Sequence, residues 1–241
     1  CLTQNFRSQN NILKVANDVV RVISTMFPRS LDQLPPEKSE IEGLKPIVVN
    51  SNQIVDLEKA LSSLKLRTID KVNRGEDKVQ FGGSQVVIVR DHLAKQKVPQ
   101  FLRDGLVLTV YEAKGLEFDN VILYNFFTDG IGLEGRWRLL DKIEIVPSEE
   151  TDQDFDMKLT QTIGTKNLGS LCSSLKHLYV AVTRAKTNLV IFDQLPQTRR
   201  FMQRIWEETG SIEVLEPNSL LEGDESDLVD SFEELMTTEH W

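Results

Sequence analysis

Residues 106–126, LVLTVYEAKGLEFDNVILYNF, decide the fold. Two strand-length apolar runs, Leu106–Val110 and Asn120–Phe126, stand on either side of a tight polar connection, Glu112–Glu117. Neither run alternates apolar with polar residues, so both are predicted to be covered on two faces, as the strands of a parallel sheet are. Working outward, Gln85–Arg90 (QVVIVR), Asn188–Asp193 (NLVIFD) and Ile212–Glu216 read as further strands, with helical stretches at Leu171–Ala185 and Thr198–Glu208. Upstream, Ile12, Val15, Ala16, Val19, Ile23 and Phe27 recur at helical spacing through residues 9–27, with Ser8 as N-cap. Residues 28–45, with Pro28, Pro35 and Pro36, read as a linker. A short apolar run (Pro46–Asn50), a helix over about Asn52–Val72 and a polar turn ending in Gly82-Gly83 follow. The alternation of buried strands with helices predicts an α/β three-layer domain with a mostly parallel sheet. In such sheets ligands gather beyond the carboxyl ends of the strands, so the chemistry is expected there.

The composition, 40% hydrophobic and 27% charged over 241 residues, excludes a disordered or fibrous chain. No apolar run reaches the roughly 18 residues of a membrane span, so no membrane partner is expected. The opening CLTQNFRSQNN has no basic-then-apolar leader, and without an initiator Met it reads as a segment of a longer intracellular protein, nuclear or cytoplasmic. Two cysteines, Cys1 and Cys172, make no disulfide framework, and Cys172 reads as a buried core residue. The three histidines lack ligand spacing, so no metal site is predicted. The net charge of −9 is unevenly placed. Residues 222–239 hold eight acids and no Lys or Arg, and residues 141–158 hold seven acids against two lysines. The rest of the chain is mildly basic, so the low overall pI does not exclude a nucleic-acid partner.

Three segments carry unusual chemistry: LTQNFRSQ (2–9), LTVYEAKGLEFDNVILYN (108–125) and LYVAVTRAK (178–186). Arg7 opens a helix, where free N–H groups and the dipole favour an anion. Arg184 closes a helical stretch and is followed two residues on by Lys186. Two converging arginines offer planar, permanently charged forks suited to phosphate oxygens. Gly115 admits a close backbone approach, and Glu117 can accept from a ribose hydroxyl. Taken singly, each has an ordinary reading: Arg7 a surface or capping residue, Lys114-Gly115 a turn, Glu117 a solvated acid, and the Tyr179–Val182 stripe core.

Together and in this order, the chain resembles the C-terminal motor half of the UvrD/Rep/PcrA-type superfamily 1 helicases. Asn5-Phe6-Arg7-Ser8 resembles motif IV, Thr109–Phe118 (TVYEAKGLEF) motif V and Leu178–Lys186 motif VI, while Arg90 resembles the strand-ending arginine between motifs IV and V. The wording of motif V is closest to the helicase core of large eukaryotic proteins that carry tetratricopeptide and ankyrin repeats. The resemblance implies a RecA-like, P-loop NTPase type fold. It implies that Arg7 and Arg184 are catalytic arginine fingers for ATP, with Phe6, Gly115 and Glu117 also contacting the nucleotide. It implies that Thr109, Tyr111 and Lys114 meet a single-stranded nucleic acid, DNA favoured over RNA. It also implies that ATP and Mg2+ lie against an upstream RecA-like lobe of the same polypeptide.

Departures from the pattern bear on this. Tyr111 stands where motif V usually has His. The chain has no G-x-x-x-x-G-K-[ST] phosphate loop and no Walker B pair, so the Mg2+ ligands are expected upstream and this segment alone is expected to be inactive. Eighteen residues separate Arg90 from Thr109, too few for the accessory domain that bacterial relatives insert there. The expected organisation is motif IV and the first helix at 1–27, a linker and helical region at 28–84, the rest of the lobe at 85–216 with an acidic insertion at about 128–170, and an acidic tail at 217–241. Within the insertion, Trp137 is expected to pack onto the domain; in the tail, Leu228–Met236 has helical spacing. The alternative reading is a catalytically degenerate helicase fold serving as a scaffold or interaction module in a repeat-containing protein.

Overall fold

A computed structural model describes residues 4–27, 30–31, 36–63, 85–129, 137 and 165–216. The extension of the second helix to Val72, the Gly82-Gly83 turn, most of the acidic insertion and the whole tail lie outside the described residues. In chain order the elements are α1 (Asn10–Met26), β1 (Ile47–Val49), α2 (Ile54–Ser63), β2 (Gln85–Val89), α3 (His92–Gln96), α4 (Gln100–Arg103), β3 (Leu106–Thr109), β4 (Phe118–Tyr124), α5 (Thr165–Val182), β5 (Ala185–Phe192), α6 (Arg200–Glu208) and β6 (Glu213–Leu215). A 3-10 turn, Pro196–Thr198, leads into α6.

The strands form one sheet in the order β3-β2-β4-β5-β1-β6, and every pairing is parallel. The two-residue period of a strand divides its side chains between two cores. Val86 and Ile88, Val121 and Leu123, and Leu189 and Ile191 face one core with α1, α5 and α6. Val87 and Val89, Ile122 and Tyr124, and Val190 and Phe192 face the other, under α2, α3 and α4. The expected three-layer α/β architecture is therefore present, and uninterrupted apolar runs are what its doubly covered strands require.

The sequence missed α3 and α4, which are short; α3 is started by Asp91, whose side chain accepts from the Ala94 N–H at 2.9 Å. Trp137 is buried and meets Phe127 edge-on with centroids 4.8 Å apart, as expected. Cys172 is only half-buried, at the margin of the first core.

Two local expectations are corrected. Ser8 does not cap α1: the N-cap is Gln9, with no side-chain capping bond, and the Ser8 hydroxyl donates instead to the Ala185 carbonyl at 2.7 Å. The stretch expected as a linker contains a strap, residues 36–43, laid along the amino end of α1. The N–H groups of Asn10 and Asn11 donate to the Ile41 and Glu42 carbonyls, and that of Asn5 to the Lys38 carbonyl. The first-turn donors expected to welcome an anion are thus already spent on the strap.

The connection from β3 to β4 is unusual. Thr109 pairs level with Val89 at the carboxyl edge of the sheet, whereas Phe118 pairs with Ala185 at the amino edge. Residues 110–117 alone cross the sheet between them, where a parallel crossover ordinarily takes about a dozen or more. Val110 and Ala113 pin this crossing to the first core.

Candidate nucleotide and nucleic-acid sites

The short crossover carries candidate residues at both ends. At its start, Thr109 and Glu112 bond each other twice. The Thr109 N–H donates to Glu112 Oε2 at 2.7 Å, and the Glu112 N–H donates to Thr109 Oγ1 at 3.2 Å. This is the reciprocal pattern of a capping box, and it closes the turn that follows. The Thr109 bond, with help from Lys95, holds the Glu112 carboxyl below the usual carboxylate range. Thr109 is buried and its hydroxyl is occupied internally, so its side chain is not presented outward.

Tyr111, by contrast, is 68% exposed, with its ring edge-on to His177 at 4.9 Å between centroids. Burial, then the Arg90 charge, lowers the pKa of His177 behind the tyrosine. Arg90 ends β2 here, over the Phe126 ring and donating to Ser174 Oγ at 2.5 Å. Lys114 is exposed on the same turn.

At the other end of the crossover, Gly115 turns the chain at a φ of +85°, a value open to glycine without strain. Glu117 immediately precedes β4, and Arg184 lies in the two-residue Thr183-Arg184 turn between α5 and β5. Arg184 donates from Nε to the Val180 carbonyl at 3.0 Å, from Nη1 to the Leu116 carbonyl at 2.9 Å and from Nη2 to Thr183 Oγ1 at 3.2 Å. Arg7 Nε lies 2.5 Å from Glu117 Oε1. Burial, and secondly the neighbouring Arg7 charge, push the Arg184 pKa below the ordinary arginine value, while Glu117 offsets part of this. Two cations thus lie near each other with one carboxylate, Glu117, which is paired with Arg7, and an added anion would ease their mutual repulsion.

Lys186, at the start of β5, bonds Asp119 at 2.6 Å; the hydrogen bond and the charge of that carboxylate raise its pKa. Arg7, Phe6, Lys186 and Asp119 line one groove of about 290 Å3, with Ser39 and Ile41 of the strap. Phe6 is 82% exposed over it. The structure thus brings together Phe6, Arg7, Glu117 and Arg184 at the amino edge of β4 and β5. The sequence reading placed the candidate residues at the carboxyl ends; Tyr111 lies there, but this cluster lies at the amino edge. Sequence reasoning also left out Asp119 and the strap, and gave Lys186 no partner. The i,i+2 placement of Lys186 after Arg184 and of Asp119 after Glu117 was the available signal, because adjacent parallel strands bring both pairs to one edge.

Among the described residues, no group of three His, Cys, Asp or Glu side chains could hold a metal ion, and no helix is long and apolar enough to cross a membrane.

The UvrD-like helicase C-terminal domain family matches residues 105–194, the stretch that runs from β3 through the crossover and Arg184 to the end of β5. The human TPR and ankyrin repeat-containing protein 1 is 35% identical over 212 residues, which cover 82% of this chain and 7% of that protein. A solved structure, the C-terminal domain of a possible DNA helicase from Lactobacillus strain WCFS1, aligns over 88% of this chain and 99% of its own at 14% identity, with a TM-score of 0.40. Glu117 and Arg184 both lie inside the stretch that matches the UvrD-like helicase C-terminal domain family.

Proposed function

We propose that this chain is the second motor lobe of an ATP-dependent nucleic-acid translocase or helicase. The observation that carries this reading is that Arg7, paired with Glu117, and Arg184, bonded to the neighbouring Leu116 carbonyl, lie together at the amino edge of β4 and β5. ATP would be held between this edge and an upstream lobe that supplies the phosphate loop and the Mg2+ ligands. Arg7 would exchange Glu117 for a phosphate oxygen, and Arg184 would turn its fork from the Leu116 carbonyl to the γ-phosphate, stabilising charge as the phosphoryl group transfers. Phe6 would stack on the base, and Glu117, released from Arg7, would accept from the ribose. At the far end of the crossover, Tyr111 and Lys114 would meet the single strand, by ring stacking and by charge. Thr109 would act by holding their turn.

The test is ATP turnover of the full-length protein that carries this chain, with and without single-stranded DNA or RNA. Turnover that rises with the strand and falls about 10³-fold or more in Arg184→Ala, with nucleotide binding retained, supports the motor. Unchanged turnover in Arg184→Ala rejects the finger role. A second reading, a helicase fold kept as a scaffold, draws on the internal partners that both arginines already hold. No turnover from folded, nucleotide-binding protein would favour it.

A further inference from the structure

The strap is fixed more firmly than a linker needs to be. Besides its backbone bonds to Asn5, Asn10 and Asn11, its acids are each engaged: Glu37 accepts from Asn5 Nδ2 at 2.6 Å, Glu40 from Gln4 Nε2 at 2.6 Å, and Glu42 from Asn10 Nδ2 at 2.7 Å. Gly43, at a φ of +72°, lets the strap lie directly on the Gln9 side chain. Asn5 is bonded twice by the strap and in turn accepts from the N–H groups of Arg7 and Ser8, at 2.8 and 3.0 Å. The loop presenting Phe6 and Arg7 is therefore clamped from residues some thirty positions away.

Within this polar, closely tied strap sits one large apolar side chain, Ile41, which is 64% exposed although its carbonyl is fixed by Asn10. Ile41 and Phe6 line the same groove, and Arg7 and Lys186 line it too. At about 290 Å3 the groove falls just short of the usual range for small-molecule sites, roughly 300–1,000 Å3. That is room for the base and sugar of a nucleotide whose phosphates run out along the cations. An apolar pair beside charged groups is the lining such a mixed ligand needs, and the β-branched Ile41 keeps a stiff face.

Resting on the function proposed above, we propose that the strap is a wall of the nucleotide site. Ile41 packs with Phe6 on the base, so that the site prefers a nucleoside triphosphate to bare polyphosphate. The purine of ATP is the occupant, and the contact is Ile41's rather than a general effect of the strap.

The experiment follows backbone amide shifts of the 241-residue chain during titration with ATP and, separately, with inorganic tripolyphosphate. ATP is expected to shift the Phe6 and Ile41 amides and to bind more tightly than tripolyphosphate. Ile41→Ser is expected to weaken ATP about fivefold, the effect of losing part of one aliphatic contact, and to leave tripolyphosphate unchanged. Arg7→Ala is expected to weaken both. Ile41 is exposed, so the Ser variant should keep the parent spectrum away from the groove. If Ile41→Ser binds ATP like the parent while Arg7→Ala weakens both ligands, the strap wall is wrong and the nucleotide reading stands. If ATP shifts neither amide in the parent chain, the strap wall is overturned, and the function rests on the turnover test of the full-length protein.

Discussion

Arg184 donates from Nη1 to the carbonyl oxygen of Leu116 at 2.9 Å, so the arginine that follows α5 braces the far end of the turn that carries Tyr111 and Lys114. With Nε on Val180 and Nη2 on Thr183, the guanidinium plane is oriented by three different atoms. Lysine keeps the charge but cannot reproduce the fork. Arg184→Lys in the full-length protein is therefore expected to lower ATP turnover by about 10²-fold or more while changing nucleotide affinity little. Steady-state kinetics beside a nucleotide-binding assay check this; near-parental turnover would show that a point charge is enough.

The Thr109–Glu112 pair makes a stability prediction. Thr109→Val keeps the buried shape but removes the acceptor for the Glu112 N–H, at an expected cost of about 1 kcal/mol, as for a lost cap. For a chain of this size that is a fall in Tm of roughly 2–4 °C. An unchanged melting temperature would mean that the double bond does not close the turn.

Two glycines with similar backbone angles separate strain from crowding. A Cβ on Gly115 would meet nothing within 4 Å, so Gly115→Ala should cost only the left-handed penalty, about 1–2 kcal/mol. At Gly43 the same change adds a clash with the Gln9 side chain and should lift the strap as well. Urea unfolding of both variants is expected to rank Gly43→Ala as the less stable; the reverse order would mean that the strap is not docked on Gln9.

Asp193 predicts a pH dependence. It is fully buried at the end of β5, where Oδ1 accepts from the N–H groups of Phe127 and Thr128 while Oδ2 has no partner. Burial pushes its pKa up to about 6 from 3.8, although Arg199 pulls the other way. The folded chain thus binds this proton more tightly than the unfolded chain does. Its contribution to stability is complete below about pH 3.8 and is lost as the pH rises through about 6. Unfolding free energies measured between pH 4 and 7.5 should lose on the order of 2–3 kcal/mol from this group on going up, and Asp193→Asn should flatten that slope. Parallel profiles for the two proteins would contradict the assignment.

Much of this was legible from the chain. The strands announce themselves because a doubly covered parallel strand must be apolar on both faces, and Gln85–Val89 and Leu189–Phe192 meet that demand almost residue for residue. Arg7, Glu117 and Arg184 were readable as candidates from their motifs. Their location at the amino edge was not, because it depends on which strands are neighbours: β4 and β5 pair across a long intervening stretch of chain. The strap was invisible for a different reason. Its ties are backbone carbonyls and acid–amide bonds, and a stretch rich in Pro, Glu and Ser looks the same whether it is docked or solvated. Thr109 shows the reverse case, a motif residue with a polar group that the structure turns to an internal bond with Glu112.

The crossing of the sheet by residues 110–117 leaves almost no slack. Stretched fully, the chain from Thr109 to Phe118 reaches at most about 30 Å. The descent from the carboxyl edge to the amino edge takes about 20 Å of that before the sideways step over β2 is counted. The turn closed by Glu112 and the bend at Gly115 consume the remainder. Surface loops elsewhere in the chain can drift in length between relatives, but this one can neither gain a residue without buckling nor lose one without dragging Phe118 out of its place beside Ala185. Its length, as much as its lettering, is therefore what sets Phe118 beside Ala185.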